Sequence, residues 1–389
     1  MGLSPRARLT KTYRRRDSLS RMTATLEDKI KSRIREAGPM SVAEYMTVCL
    51  LDPVQGYYPT RDPLGAEGDF ITAPEISQMF GEVLGLWCVQ SWIDLGRPEV
   101  LHLIEYGPGR GIMMSDMLRS ASLDAGFKAA VQVWLVEASA ALEAVQGRTL
   151  ANAGVPIQWA TRLEDMPAGP SLIIGNEFLD CLPIQQLICD DPFAGKDGWV
   201  ERRVGLDEED RLCFVKIDVP AASILTDKLP EGADDARKDD LLETCPSTAQ
   251  IIDSLAARFE THPGRALFID YGPEDTEFGD TLQALKRHEK VGVFSDPGNT
   301  DLTARVDFAA LAQTAQAAGL TASAAVPQRE FLSKLGLEMR AVTLIRSKPE
   351  AKPVIARQLH RLTDAAEMGE LFKAICLSSP GLPDPLGLR

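Results

Sequence analysis

The sequence predicts an α/β fold: a mostly parallel, doubly wound sheet with an N-terminal helical region and an inserted antiparallel β subdomain. Three observations lead there. Between residues 101 and 175, short apolar runs alternate with helical patterns, as expected for parallel strands joined by crossover helices. The first of those runs ends in three glycines at alternate positions, Gly107, Gly109 and Gly111, where a strand turns into a helix. Between 184 and 219, strand-like runs succeed one another with no helix between them, which reads as antiparallel pairing. The chain has 389 residues, 44% hydrophobic and 25% charged, enough for a substantial core and not the composition of a disordered chain.

Residues 1–24 form a basic head, expected to be disordered. Residues 1–21 hold seven Lys and Arg against Asp17, a net of +6, which leaves −20 on the rest of a chain whose formal charge is −14. Such a head reads as a transit peptide, a flexible arm, or a stretch upstream of a working start at Met22. The last reading is preferred and implies a bacterial cytoplasmic protein; a transit peptide implies the mitochondrial matrix. The acidic body argues against a protein that coats nucleic acid or anionic membrane.

Residues 25–95 read as a helical, lid-bearing region. Leu26, Ile30 and Ile34 recur at spacing four, and Gly38-Pro39 stops that helix. Ser41 with Glu44 makes a capping box for a second helix, which Asp52-Pro53 ends near Leu51. Residues 52–74 form a long Gly/Pro/Asp/Tyr-rich loop, and Pro74 opens a helix over about 75–94. The core is expected in two pieces, 96–183 and 246–347. Its strands are 101–106, 131–137, 157–159 and 171–175, with helices at 112–121 and 138–152. Residues 184–245 are the inserted β subdomain, with 227–242 charged and exposed. Pro246 opens a helix to about Phe259, strand 265–270 resumes the parallel pattern, a helix covers 308–318, and strand 340–346 closes the sheet. A C-terminal extension, 348–389, carries a helix around 364–377. No run of about 18 apolar residues is present, so no membrane span is expected. Seven cysteines without a CxxC pair and four scattered histidines predict neither a disulfide framework nor a metal site.

The chemistry concentrates at strand ends. After strand 101–106, the glycines let the backbone turn tightly, and the helix that follows offers free N–H groups to an anion. Glu105 precedes them by two residues, and Ile112 stands where a dinucleotide fingerprint places its third glycine, which disfavours an NAD site. Glu137 ends the second strand, placed to accept hydrogen bonds from ribose hydroxyls, a role NAD and S-adenosylmethionine share. Asn176, Glu177 and Asp180 follow the fourth strand. They offer the acceptors that a guanidino or amino substrate requires, and they also suit the N-terminus of a helix. Asp69 and Thr72, in the loop Gly68–Glu75, are candidate polar contacts of a lid. Asp270 and Tyr271 end the fifth strand on the same side.

The segments SVAEYMTVCLLDPVQGYY, GDFITAPEISQMFGE, LIEYGPGRG, NEFLDCLP and IDYG, with GDTLQAL and DLTARVDF downstream, together resemble the MidA family of S-adenosylmethionine-dependent methyltransferases. The likeness runs from about residue 25 to 347. It implies a class I methyltransferase core, Rossmann-like, with S-adenosyl-L-methionine bound by Glu105, the Gly107, Gly109 and Gly111 loop and Glu137. It implies methylation of a protein arginine, in the mitochondrial member on a subunit of respiratory complex I, and so an assembly role. Glu177, Asp180 and Asn176 are the residues expected to position that arginine. A small-molecule methyltransferase and a non-catalytic assembly chaperone are the alternatives.

Overall fold

The computed structural model describes residues 24–60, 72–220 and 229–388. The basic head and Asp69 lie outside the described residues.

Among the described residues the central sheet has eight strands, and six of them build its body: β1 (Leu101–Tyr106), β2 (Val131–Val136), β3 (Ile157–Ala160), β4 (Ser171–Asn176), β5 (Gly264–Tyr271) and β6 (Phe372–Ser378), with Thr321–Ala322 and Val326–Pro327 pairing along β6. Across the sheet the order is β3-β2-β1-β4-β5-β6, and the short strand Thr321–Ala322 lies beyond β6. The first five strands are parallel, and β6 runs antiparallel between β5 and Thr321–Ala322. This is the doubly wound α/β architecture the sequence predicts. β1 and β4 are buried at every position, because helices cover both faces. The order in which strands are added reverses between β1 and β4: the chain first winds outward from β1 through β2 to β3, then returns to the other side of β1 for β4 and β5. In an open α/β sheet, ligands bind beyond the carboxyl ends of the strands at that switch point.

The N-terminal helices Leu26–Ala37 and Val42–Leu51 form where the sequence places them. The second starts with the expected reciprocal cap, Ser41 with Glu44, and the first carries one of the same kind not read from the sequence, Thr25 with Asp28. They pack on a five-stranded sheet of Met40–Ser41, Gln185–Cys189, Trp199–Leu206, Leu212–Pro220 and Leu241–Thr244, antiparallel throughout. A further three-stranded sheet, Gln283–Lys286, Glu289–Val291 and Asp301–Thr303, completes that unit. Helix and insertion thus share one core and stand beside the mouth of the central sheet. Within the stretch expected to be charged and exposed, Ala233 and Ala236 are buried and Leu241–Thr244 pairs as a strand.

Three expectations change. The helix over 75–94 is broken at Ser77, whose extended backbone separates Ala73–Ile76 from Gln78–Asp94 and whose hydroxyl caps the second piece. Residues 340–346 do not close the sheet. They belong to helix Leu337–Ser347, where Leu337, Ala341 and Leu344 face the core at helical spacing and Met339 and Val342 face outward. The strand beside β5 is instead Phe372–Ser378, in the segment expected to be helical. All seven of its residues are buried, and an apolar run buried on both faces carries no periodicity to tell strand from helix.

Candidate functional site

β1, β2 and β4 end level with one another, since Tyr106 pairs with Val136 on one side and Gly175 on the other. A cavity of about 580 Å³ opens at that edge. Its lining includes Glu105, Gly107, Gly109, Glu137, Asn176, Glu177 and Thr72.

The glycine loop is shaped by conformation. Gly107, Gly109 and Gly111 have φ of 61°, 52° and 77°, a region that a side chain makes costly. The Gly111 N–H donates to the Pro108 carbonyl at 2.7 Å, closing the turn from which helix Ile112–Ala121 starts. Glu105 lies behind the loop, 2% exposed, and its Oε2 has no hydrogen-bond donor among the described residues. Burial pushes its carboxyl well above the usual carboxylate range.

Glu137 follows β2. Its Oε1 accepts from the Ser139 N–H at 2.7 Å and its Oε2 from Gln146 Nε2 at 2.9 Å. Burial raises its carboxyl, and these donors oppose the shift. Gln146 is fully buried and does more: the same Nε2 donates to the Gly109 carbonyl at 2.8 Å, and its Oε1 accepts from Trp159 Nε1 at 2.8 Å. One amide therefore ties the glycine loop, the acid of β2 and β3 together. Sequence reasoning missed Gln146. The signal for it is a polar residue at spacing four between Leu142 and Leu150, which are both buried.

The third component is the turn after β4. Glu177 has φ of 50°, left-handed for a residue with a side chain. Its Oε1 accepts from the Ala73 N–H at 2.8 Å and from Asn176 Nδ2 at 3.1 Å. Burial, with Asp270 nearby, pushes its carboxyl up to about 7. Asn176 is 8% exposed, and its Oδ1 lacks a donor among the described residues. The turn is fixed from β5: Asp270 Oδ2 accepts from the N–H groups of Phe178, Leu179 and Asp180, and its Oδ1 from that of Tyr271. Asp270 thus shapes the site from behind. Asp180 also stands behind the turn, outside the cavity lining, beside Asp270 and Asp301; burial and those acids hold its carboxyl well above the usual range. The Phe178 ring stacks on Tyr106, centroids 5.0 Å apart, and both line the cavity, a contribution not read from the sequence.

Thr72 lines the cavity but leaves its hydroxyl out of capping; its carbonyl accepts from Glu75 and Ile76 at the start of helix Ala73–Ile76. Arg110 of the glycine loop reaches Glu75 at 3.8 Å, joining the loop to that helix. Among the described residues, no group of His, Cys, Asp and Glu is arranged to hold a metal, and no helix is long and apolar enough to cross a membrane.

The sequence matches known proteins over most of its length. Residues 83–326 match a family described as S-adenosyl-L-methionine-dependent methyltransferase. The chain is 36% identical over 382 residues to protein arginine methyltransferase NDUFAF7, mitochondrial, of Danio rerio, covering 92% of this chain and 87% of that protein. The Homo sapiens protein of the same name is 35% identical over 372 residues, covering 89% and 81%. A crystal structure from Burkholderia thailandensis, bound to S-adenosyl-homocysteine, superposes with a TM-score of 0.78 at 26% identity over 93% of each chain.

Proposed function

The chain belongs to the family of S-adenosyl-L-methionine-dependent methyltransferases and uses that compound as its methyl donor; from that premise we propose that the acceptor is an arginine side chain of a protein, held at the Asn176–Glu177 turn. The site fits the donor group by group. The glycine loop and the free N–H groups of helix Ile112–Ala121 suit a carboxylate. Glu137, oriented by Gln146, suits ribose hydroxyls. Phe178 offers an apolar wall. When bound, S-adenosylmethionine supplies a methyl group already activated on a sulfonium.

The protein's own work is then to orient the acceptor and handle a proton. A guanidinium carries no outward lone pair, so carboxylate hydrogen bonds must fix its plane and localise its charge. Glu177 is the residue we assign to this. A carboxyl near 7 also exchanges protons at neutral pH, where an ordinary carboxylate is too weak a base. Glu177 therefore receives the proton that the guanidinium nitrogen loses as its new N–C bond forms. Asn176 Oδ1, buried without a donor among the described residues, is a second acceptor for the same group. That pairing at the switch point is the observation that carries the proposal. The acidic body, −20 outside the head, complements a basic protein surface. By the family resemblance that protein is a subunit of a respiratory complex I, and methylation serves its assembly.

The test is mass spectrometry of cell proteins with and without the gene, the gene being restored as wild type or Glu177→Gln. One arginine is expected to lose its methyl groups on deletion, to regain them with the wild type and not with the variant. A methylation loss confined to small molecules, or full rescue by Glu177→Gln, refutes the reading.

A further inference from the structure

The cavity has a wall that neither the glycine loop nor the Glu177 turn supplies. Leu50 and Leu51 of helix Val42–Leu51 and Tyr58 of the short helix Tyr57–Thr60 stand there, with Cys181 also in the lining. Tyr58 Oη donates to Asp301 Oδ1 at 3.1 Å. Asp301 is 2% exposed, on the strand Asp301–Thr303. The Tyr57 and Tyr58 rings are in edge-to-face contact, centroids 5.2 Å apart, so the Tyr58 ring is braced by its neighbour as well as at its hydroxyl. Burial beside Asp301 keeps the phenol protonated far above working pH, so Oη remains a donor.

Near Tyr58 stand the carboxyls of Asp301 and Asp180. In the same cavity lining, Asn176 Oδ1 is buried without a donor among the described residues. The combination disfavours an anion and leaves an apolar acceptor unable to satisfy Asn176. A flat cation with several N–H groups satisfies both. A guanidinium is such a group: it stacks on aromatic faces and donates in its plane, whereas a compact ammonium has no plane to stack.

We infer that Tyr58 is a substrate-contacting specificity residue: its ring is the face on which the acceptor guanidinium stacks, Asp301 fixes that ring through Oη, and Asn176 Oδ1 takes one of the guanidinium N–H groups. This rests on the arginine reading above and adds the contact that separates a guanidinium from other cations.

Calorimetry on the full chain tests it with two probes. Both are S-adenosyl-homocysteine analogues with nitrogen in place of sulfur, carrying a three-carbon arm that ends in guanidine in one and in methyl in the other. Wild type is expected to bind the guanidine probe at least about tenfold more tightly. Tyr58→Ala is expected to lose about tenfold of that ratio, a contact near the upper end for a desolvated cation on an aromatic face, with the methyl probe's affinity unchanged. Tyr58→Phe, which keeps the ring, retains most of the ratio. A ratio in Tyr58→Ala equal to wild type overturns the inference and leaves the arginine reading standing. No preference for guanidine in wild type overturns both. Where Tyr58→Ala also loses the methyl probe, Tyr58→Leu carries the same comparison with the wall refilled.

Discussion

Glu177 combines two costs that a structural residue avoids. Its left-handed backbone costs about 1–2 kcal/mol, and its carboxyl, ordinarily at 4.5, sits at about 7. The folded form therefore holds this proton more tightly than the unfolded chain does. The associated stability is fully present below pH 4.5 and is lost as pH rises through 7. Methyl transfer runs the other way, rising with pH through about 7 as Glu177 ionises. Glu177→Gln is expected to cut turnover about 100-fold or more, to remove that rising limb, and to be no less stable than wild type in urea at pH 8. Loss of stability at pH 8 would mark Glu177 as a structural residue. Gln146 makes a second prediction at this scale. Gln146→Ala removes the donor shared by Glu137 and Gly109, leaving both without that partner. S-adenosylmethionine affinity by calorimetry should fall about 10- to 100-fold, as for lost hydrogen bonds to a charged group; unchanged affinity would detach Glu137 from the cofactor.

At the scale of elements, helix Gln78–Asp94 crosses helix Ile112–Ala121 at close range because Gly85 lies at the crossing. A Cβ there would stand 2.2 Å from the Met117 carbonyl oxygen and from Ser120 Oγ. Gly85→Val should destabilise by about 1–3 kcal/mol in urea unfolding, whereas Leu86→Ala, at a position 46% exposed, should stay within about 0.5 kcal/mol. The helix it disturbs begins at the glycine loop, so cofactor affinity should fall with stability. Helix Leu337–Ser347 packs from the other side: Arg340 and Arg119 converge on the buried Glu82, with Arg340 Nε at 2.6 Å. Its β-branched residues invite a strand assignment, and only the neighbours on that face make it a helix.

For the whole molecule, the last residues complete the central sheet. Ala374, Ile375, Cys376 and Leu377 are fully buried in β6. At about 1.5–3 kcal/mol per large apolar side chain, Phe372, Ile375 and Leu377 together contribute about 4.5–9 kcal/mol, comparable with the whole stability of a domain, about 5–15 kcal/mol. Arg265 of β5, fully buried, pairs with Asp94 at 2.6 Å and donates to the Pro383 carbonyl, tying the tail to helix Gln78–Asp94. A chain ending at Leu371 should therefore fail to unfold cooperatively when followed by circular dichroism. A cooperative transition like that of the full chain would show β6 to be dispensable.

The sequence by itself determined the parallel core, the capped N-terminal helices, the glycine loop, Glu137 and the turn after β4. Each is written in local terms: an apolar run, a capping residue, a backbone conformation that glycine adopts cheaply. The tertiary structure alone decided that Phe372–Ser378 is the strand beside β5, that Gln146 joins three elements, that Asp270 serves the turn at 177–180 rather than the cavity, and that Asp180 stands behind it. Those facts depend on pairings between residues 9 to 113 positions apart. A one-dimensional pattern shows which side chains are apolar or charged, and only closure of the sheet shows which of them meet.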